Sequence, residues 1–390
     1  MESISGTLTS ILDSHYVPQQ LLAHVENVLL AREKAGQILS LSELKEYSEI
    51  DALFSATICR AIEFSVSNWK VSANIYFCYV ARPDIANALA MRLPDGSYVI
   101  ALFEGLVGQL VRFATLMVRT EEIGKTLNID ASRYKVSRST YKDLPMVGGL
   151  IDLGTLEDED VKNSVPLLLG MAGVIGFHEI AHIIDGHLDF LAGVGCAAHD
   201  EFSDIRQDGP EGLLTLEALE FDADAFSAAG WGALLLGGRG VPVALAPFRD
   251  PLEKRFEFIA LTVGGVLLYD DLFTIDDLCW ATKAASHSPP KVRLNNVQAT
   301  LVELLRKYHG YSYEQGAALI VPIEIALQIA SLMFKGADLP SGMGSLWEKE
   351  REAQEQYTNR IFGRWARLRP CLSQLKLSSQ NLAPAQADPI

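Results

Sequence analysis

Gly173–His187 reads GVIGFHEIAHIIDGH and closes an apolar run that begins at Val165. Residues on a helix follow one another at about 100°, so His178 and His182 stand about 40° apart, one turn above each other. Two imidazoles so placed can hold one zinc ion at about 2.0–2.1 Å. Glu179 stands beside them, where its carboxylate can take a proton from water on the metal. A run this apolar on both sides of three polar residues predicts a buried helix at the centre of the fold, over about 166–185, with Gly186 as its stop. His187, nine residues past His178, would lie about 180° round if the helix continued, and is expected to end or cap it.

A catalytic zinc site takes three protein ligands and leaves the fourth position for water. The third is sought on the next apolar stretch, Leu213–Leu236, which contains LEFDADAF at 219–226. Glu220 and Asp224 are four apart and share a face among Leu, Phe and Ala, where two carboxylates are costly unless paired or metal-bound. Glu220 as ligand, with Asp224 accepting from the ring N–H of a ligand histidine, satisfies both. Glu217, one turn earlier, is the competitor. Asp222 is expected on the exposed side.

The rest of the chain frames this pair of helices. Helical periodicity covers 17–35, 41–68 and 104–118, and returns after the motif at 251–269, 313–335 and 345–368. Asn74–Ala81 is aromatic and β-branched and reads as a strand. Asn87–Phe103 is two apolar runs around Pro94-Asp95-Gly96, a hairpin. Its second strand, SYVIALF at 97–103, reads as an open sheet edge that could take substrate, the alternative being an internal pair covered by the 120–177 stretch. The fold class is therefore α+β and mostly helical. A small mixed sheet and an active-site helix form the core, over 71–300. Helical extensions over 1–70 and 301–377 wrap it, and 378–390 is expected to be a disordered tail.

Bulk properties narrow the function classes. A formal charge of −16 over 390 residues argues against nucleic acid as a partner. Five scattered cysteines without metal spacing read as reduced thiols of a cytoplasmic protein. The N-terminal residues lack the basic start and apolar core of a secretory signal. Uninterrupted apolar runs stop short of a bilayer's width, so no membrane span is expected.

At this point HEIAH followed by EFDAD resembles the gluzincin zinc peptidases, whose pattern is HExxH…ExxxD. Asn87-Ala88-Leu89 and the hairpin after it resemble that family's asparagine–alanine edge strand. His287-Ser288-Pro289-Pro290-Lys291-Val292-Arg293 is similar to the HP…R turn of the CaaX-type proteases and their soluble relatives, with Ser288 as a departure. The layout is also similar to phage-exclusion peptidases of the same clan. The resemblance spans about 74–296. It implies a zinc cofactor on His178, His182 and Glu220, Glu179 as general base, and a protein or peptide substrate. It also implies backbone binding of substrate along Asn87, Ala88 and Leu89, and His287 or Arg293 either near the oxyanion or pinning a structural turn. The rival expectation is a helical interaction or regulatory protein with a structural or vestigial metal site. The intact Glu179 speaks against it, because a structural site has no need of a general base.

Overall fold

The computed structural model of the chain describes residues 10–32, 34–120, 123–124, 146–147, 150–151, 158–193, 209–237, 251–273, 290–334 and 343–379. In chain order these form helix α1 (Gln19–Ala31), strand β1 (Gln37–Ile38), α2 (Leu41–Tyr47), α3 (Glu49–Trp69), β2 (Ile75–Ala81), β3 (Ala88–Arg92), β4 (Tyr98–Phe103) and α4 (Glu104–Arg119). A two-residue ladder, β5 (Met146–Val147) with β6 (Leu150–Ile151), precedes α5 (Asp158–Ile184), α6 (His187–Gly193) and α7 (Gly209–Leu236). Then come α8 (Leu252–Phe273), α9 (Pro290–His309), α10 (Tyr313–Phe334) and α11 (Met343–Leu375). The protein is thus mostly helical with a small mixed sheet, as the periodicities predict.

Helix α5 is the axis. It is apolar around its whole circumference, so it must be enclosed, and α3, α4, α7, α8 and β3 enclose it. Val161–Ile184 is long and apolar enough to cross a membrane by length and composition, but 94% of its apolar window is buried within the protein. Close approach depends on small residues. A Cβ at Gly173 would lie 2.4 Å from the Trp231 ring of α7, so only glycine lets the two helices meet there. The helix starts at Asp158 rather than near Pro166, which it absorbs internally.

Its other end is equally well defined. Gly186 sits at φ +80°, the left-handed conformation that ends a helix at low cost for glycine. The Ile184 carbonyl, left without an intrahelical partner, accepts from the Leu377 N–H at 2.7 Å. Ser72 N–H donates to the Leu377 carbonyl, and Ser379 N–H to that of Trp69, so the segment after α11 is stitched between α3 and α5. The expected tail at 378–390 falls outside the described residues from 380 onward.

The sheet has the order β1-β2-β4-β3, with β2 parallel to β4 and the other two pairs antiparallel. This corrects the expected edge. Strand β4 is interior, paired on both sides and buried along its whole length, which is how a continuous apolar strand is accommodated. The hairpin's open edge is β3. Phe103 N–H donates to Asn87 O and Leu93 N–H to Ser97 O, so 87, 89, 91 and 93 turn their backbone groups toward β4. The N–H and C=O groups of Ala88, Ala90 and Arg92 therefore turn outward.

Candidate metal centre

Helix α7 crosses α5 and brings Glu220 against the two motif histidines. His178 Nε2 and His182 Nε2 are 3.2 Å apart. The Glu220 carboxylate straddles them, Oε2 at 3.2 Å from His178 Nε2 and Oε1 at 3.3 Å from His182 Nε2. A tetrahedral metal bound at about 2.0–2.1 Å has ligand atoms about 3.3–3.4 Å apart. The three residues thus present one face of such a tetrahedron, and their two-nitrogen, one-oxygen donor set suits a divalent metal. The group is nearly enclosed, with side-chain exposure of 16% for His178 and 1% for Glu220. Among the described residues it is the one group of three or more such side chains that could hold an ion.

Each imidazole is held from behind. His178 Nδ1 lies 3.2 Å from Asp224 Oδ1, and Arg293 of α9 grips the same carboxylate twice, Nε to Oδ2 at 2.7 Å and a terminal nitrogen to Oδ1 at 2.8 Å. Burial would lift the Asp224 carboxyl, but the Arg293 charge and its hydrogen bonds hold it below the usual range. For His178, burial is outweighed by the charges and hydrogen bonds of Glu220 and Asp224, which raise it well above an ordinary imidazole. Burial pushes His182 down to about 3, against the pull of Glu220.

His182 has a different support, and here two expectations are corrected. His187 does not end or cap α5, which stops at Ile184 ahead of Gly186, but opens α6. The turn at Gly186 swings it back so that its Nδ1 lies 3.1 Å from His182 Nδ1, with its ring wholly buried. Asp222 is not on an exposed face either, because α7 is enclosed all round; its Oδ2 lies 3.1 Å from His187 Nε2. Asp185, buried beside it, hydrogen-bonds to Asp222; burial and the Asp222 charge push its carboxyl well above the usual range. A helical wheel could not show this arrangement, since it depends on the chain reversal. The available signal was compositional: an acid in an otherwise apolar helix must find a partner.

Glu179 is buried beside the ligands, and one of its oxygens accepts from the Ala90 N–H at 2.8 Å. Burial raises its carboxyl to about 7, with His178 pulling it down and Glu220 pushing it up. The strand so engaged is β3. Of Asn87, Ala88 and Leu89, the alternation leaves only Ala88 with its backbone turned outward, next to Ala90. Glu217, the rival third ligand, instead accepts from Tyr357 Oη at 2.7 Å. Arg293, read for an oxyanion or for a structural turn, grips Asp224. His287 lies outside the described residues. No family model matches the chain, and no curated protein or solved structure matches it.

Proposed function

We propose that the protein is a zinc-dependent peptidase acting on a protein or peptide inside the cell. The observation that carries this is the juxtaposition of the His178–His182–Glu220 triangle with the buried Glu179 carboxyl, which shares α5 with the two histidines. Zinc held by His178, His182 and Glu220 would supply a Lewis acid, acidifying water and polarising a carbonyl. Glu179 is placed for the proton work, its carboxyl buried beside the three metal-binding side chains. It would draw the proton from the attacking water and hand it to the leaving amine as the peptide bond breaks. Ala90 N–H fixes one of its oxygens and so orients the other. The outward backbone groups of Ala88 and Arg92 offer an extended substrate a strand to pair with. Asp224, locked by Arg293, holds the His178 ring. The free thiols of Cys59, Cys78 and Cys371 fit a reducing compartment.

Metal analysis of the purified protein and of Glu179→Gln tests the reading. Both proteins should carry about one equivalent of zinc, and the variant should lose about 10²–10⁴-fold in peptide hydrolysis. Equal turnover by the two would remove Glu179 from the chemistry. Zinc retained with no hydrolysis of any peptide library would leave a structural metal site.

A further inference from the structure

We infer that His187 and Asp222 form a polarised relay that fixes the tautomer of the ligand His182. The inference rests on the metal reading above and adds two residues to it. His182 and His187 face each other through their Nδ1 atoms at 3.1 Å, an arrangement that needs one proton between two nitrogens. On its far side His187 presents Nε2 to Asp222 Oδ2, also at 3.1 Å, and a carboxylate accepts. Asp222 therefore assigns the His187 proton to Nε2. His187 Nδ1 is then a bare acceptor, and His182 must carry its own proton on Nδ1.

The consequence falls on the other side of the His182 ring. With Nδ1 protonated, Nε2 is a bare lone pair, and this is the atom facing His178 Nε2 and Glu220 Oε1. In the opposite tautomer a proton on Nε2 would point at Glu220 and occupy the position of the metal. The ring of Trp365, centred 6.5 Å from that of His187, and the turn at Gly186 keep His187 in place. Both ligand histidines are thus backed by a carboxylate, directly for His178 and through an imidazole for His182.

Zinc affinity is measured by competition with a chromophoric chelator. His187→Phe keeps the ring's bulk but offers no acceptor, and should weaken zinc binding by about 10–100-fold. His187→Gln retains one acceptor and one donor, and should stay within a few-fold of the parent protein. Equal affinity for His187→Phe and the parent would overturn the relay. Glu220→Ala separates this from the parent reading: if zinc affinity survives that change, the metal site itself is wrong. Should His187→Phe fail to fold, nitrogen NMR of the histidine rings in the unaltered, metal-free protein decides. A proton on His187 Nε2 with Nδ1 bare is expected, and a proton on His187 Nδ1 overturns the relay.

Discussion

Glu217 and Glu220 lie one turn apart on α7, and their surroundings give them different work. Glu220 meets two imidazoles, whereas Glu217 meets a tyrosine hydroxyl in a pocket that burial makes hostile to charge. Its carboxyl is raised to about 7, the Tyr357 hydrogen bond opposing the shift. An acid with a raised folded-state pKa favours the fold below its unfolded value of about 4.5, and that advantage is lost as pH rises through 7. Glu217→Gln should therefore leave stability nearly unchanged at pH 4 and raise it by up to about 3 kcal/mol at pH 8, read from urea melts. Arg293 is the converse case. Replacing it by Met strands the Asp224 carboxylate in the interior, and should lower stability by about 3–5 kcal/mol and weaken zinc binding. The residues legible in advance lie on two helices: His178 and His182 on α5, and Glu220 and Asp224 on α7, are pairs four apart on one face, with Glu179 next to His178. His187 and Asp222 were not legible, because their meeting depends on a turn between helices and on the enclosure of α7.

Among elements, the motif helix, α7 and the 87–103 hairpin follow directly from periodicity and turn chemistry. The sheet order does not. A run such as Tyr98–Phe103 is compatible with an edge or an interior strand, and what decides is the parallel partner β2, which precedes it in the chain. Reassigning the edge to β3 sharpens the test of substrate docking. Proline at Ala88 or Arg92 removes an outward backbone donor and leaves the β4 ladder intact. Cleavage of a protein substrate should fall sharply in both variants while zinc content and Tm hold. If both variants cleave normally, substrate binds elsewhere. Ala90→Pro is a different experiment, since it also frees the Glu179 oxygen held by that N–H.

For the molecule as a whole, one cluster of buried apolar residues runs from Ile11 to Ala330, and a second joins α6 and α7 to α11 through Leu191, Leu219, Trp365 and Leu372. Sequence periodicity announces α11 as an amphipathic helix. It cannot announce that the residues after α11 return to close α5, since that bond joins positions far apart in the chain. Leu377→Pro removes the N–H that the Ile184 carbonyl accepts. It should cost about 1–3 kcal/mol and accelerate amide exchange at the end of α5. Unchanged exchange there would show that the bond carries no load.

That stitch also sets an order in time. Leu377 is translated half a chain-length after His182, yet it closes the helix that carries both imidazoles and leads into the turn that places His187. During synthesis the histidines emerge early and wait. Until the segment after α11 has been made, the end of the helix that carries the imidazoles lacks the donor that closes it. On the peptidase reading proposed above, the geometry of the site would be completed by a segment far along the chain from its own ligands.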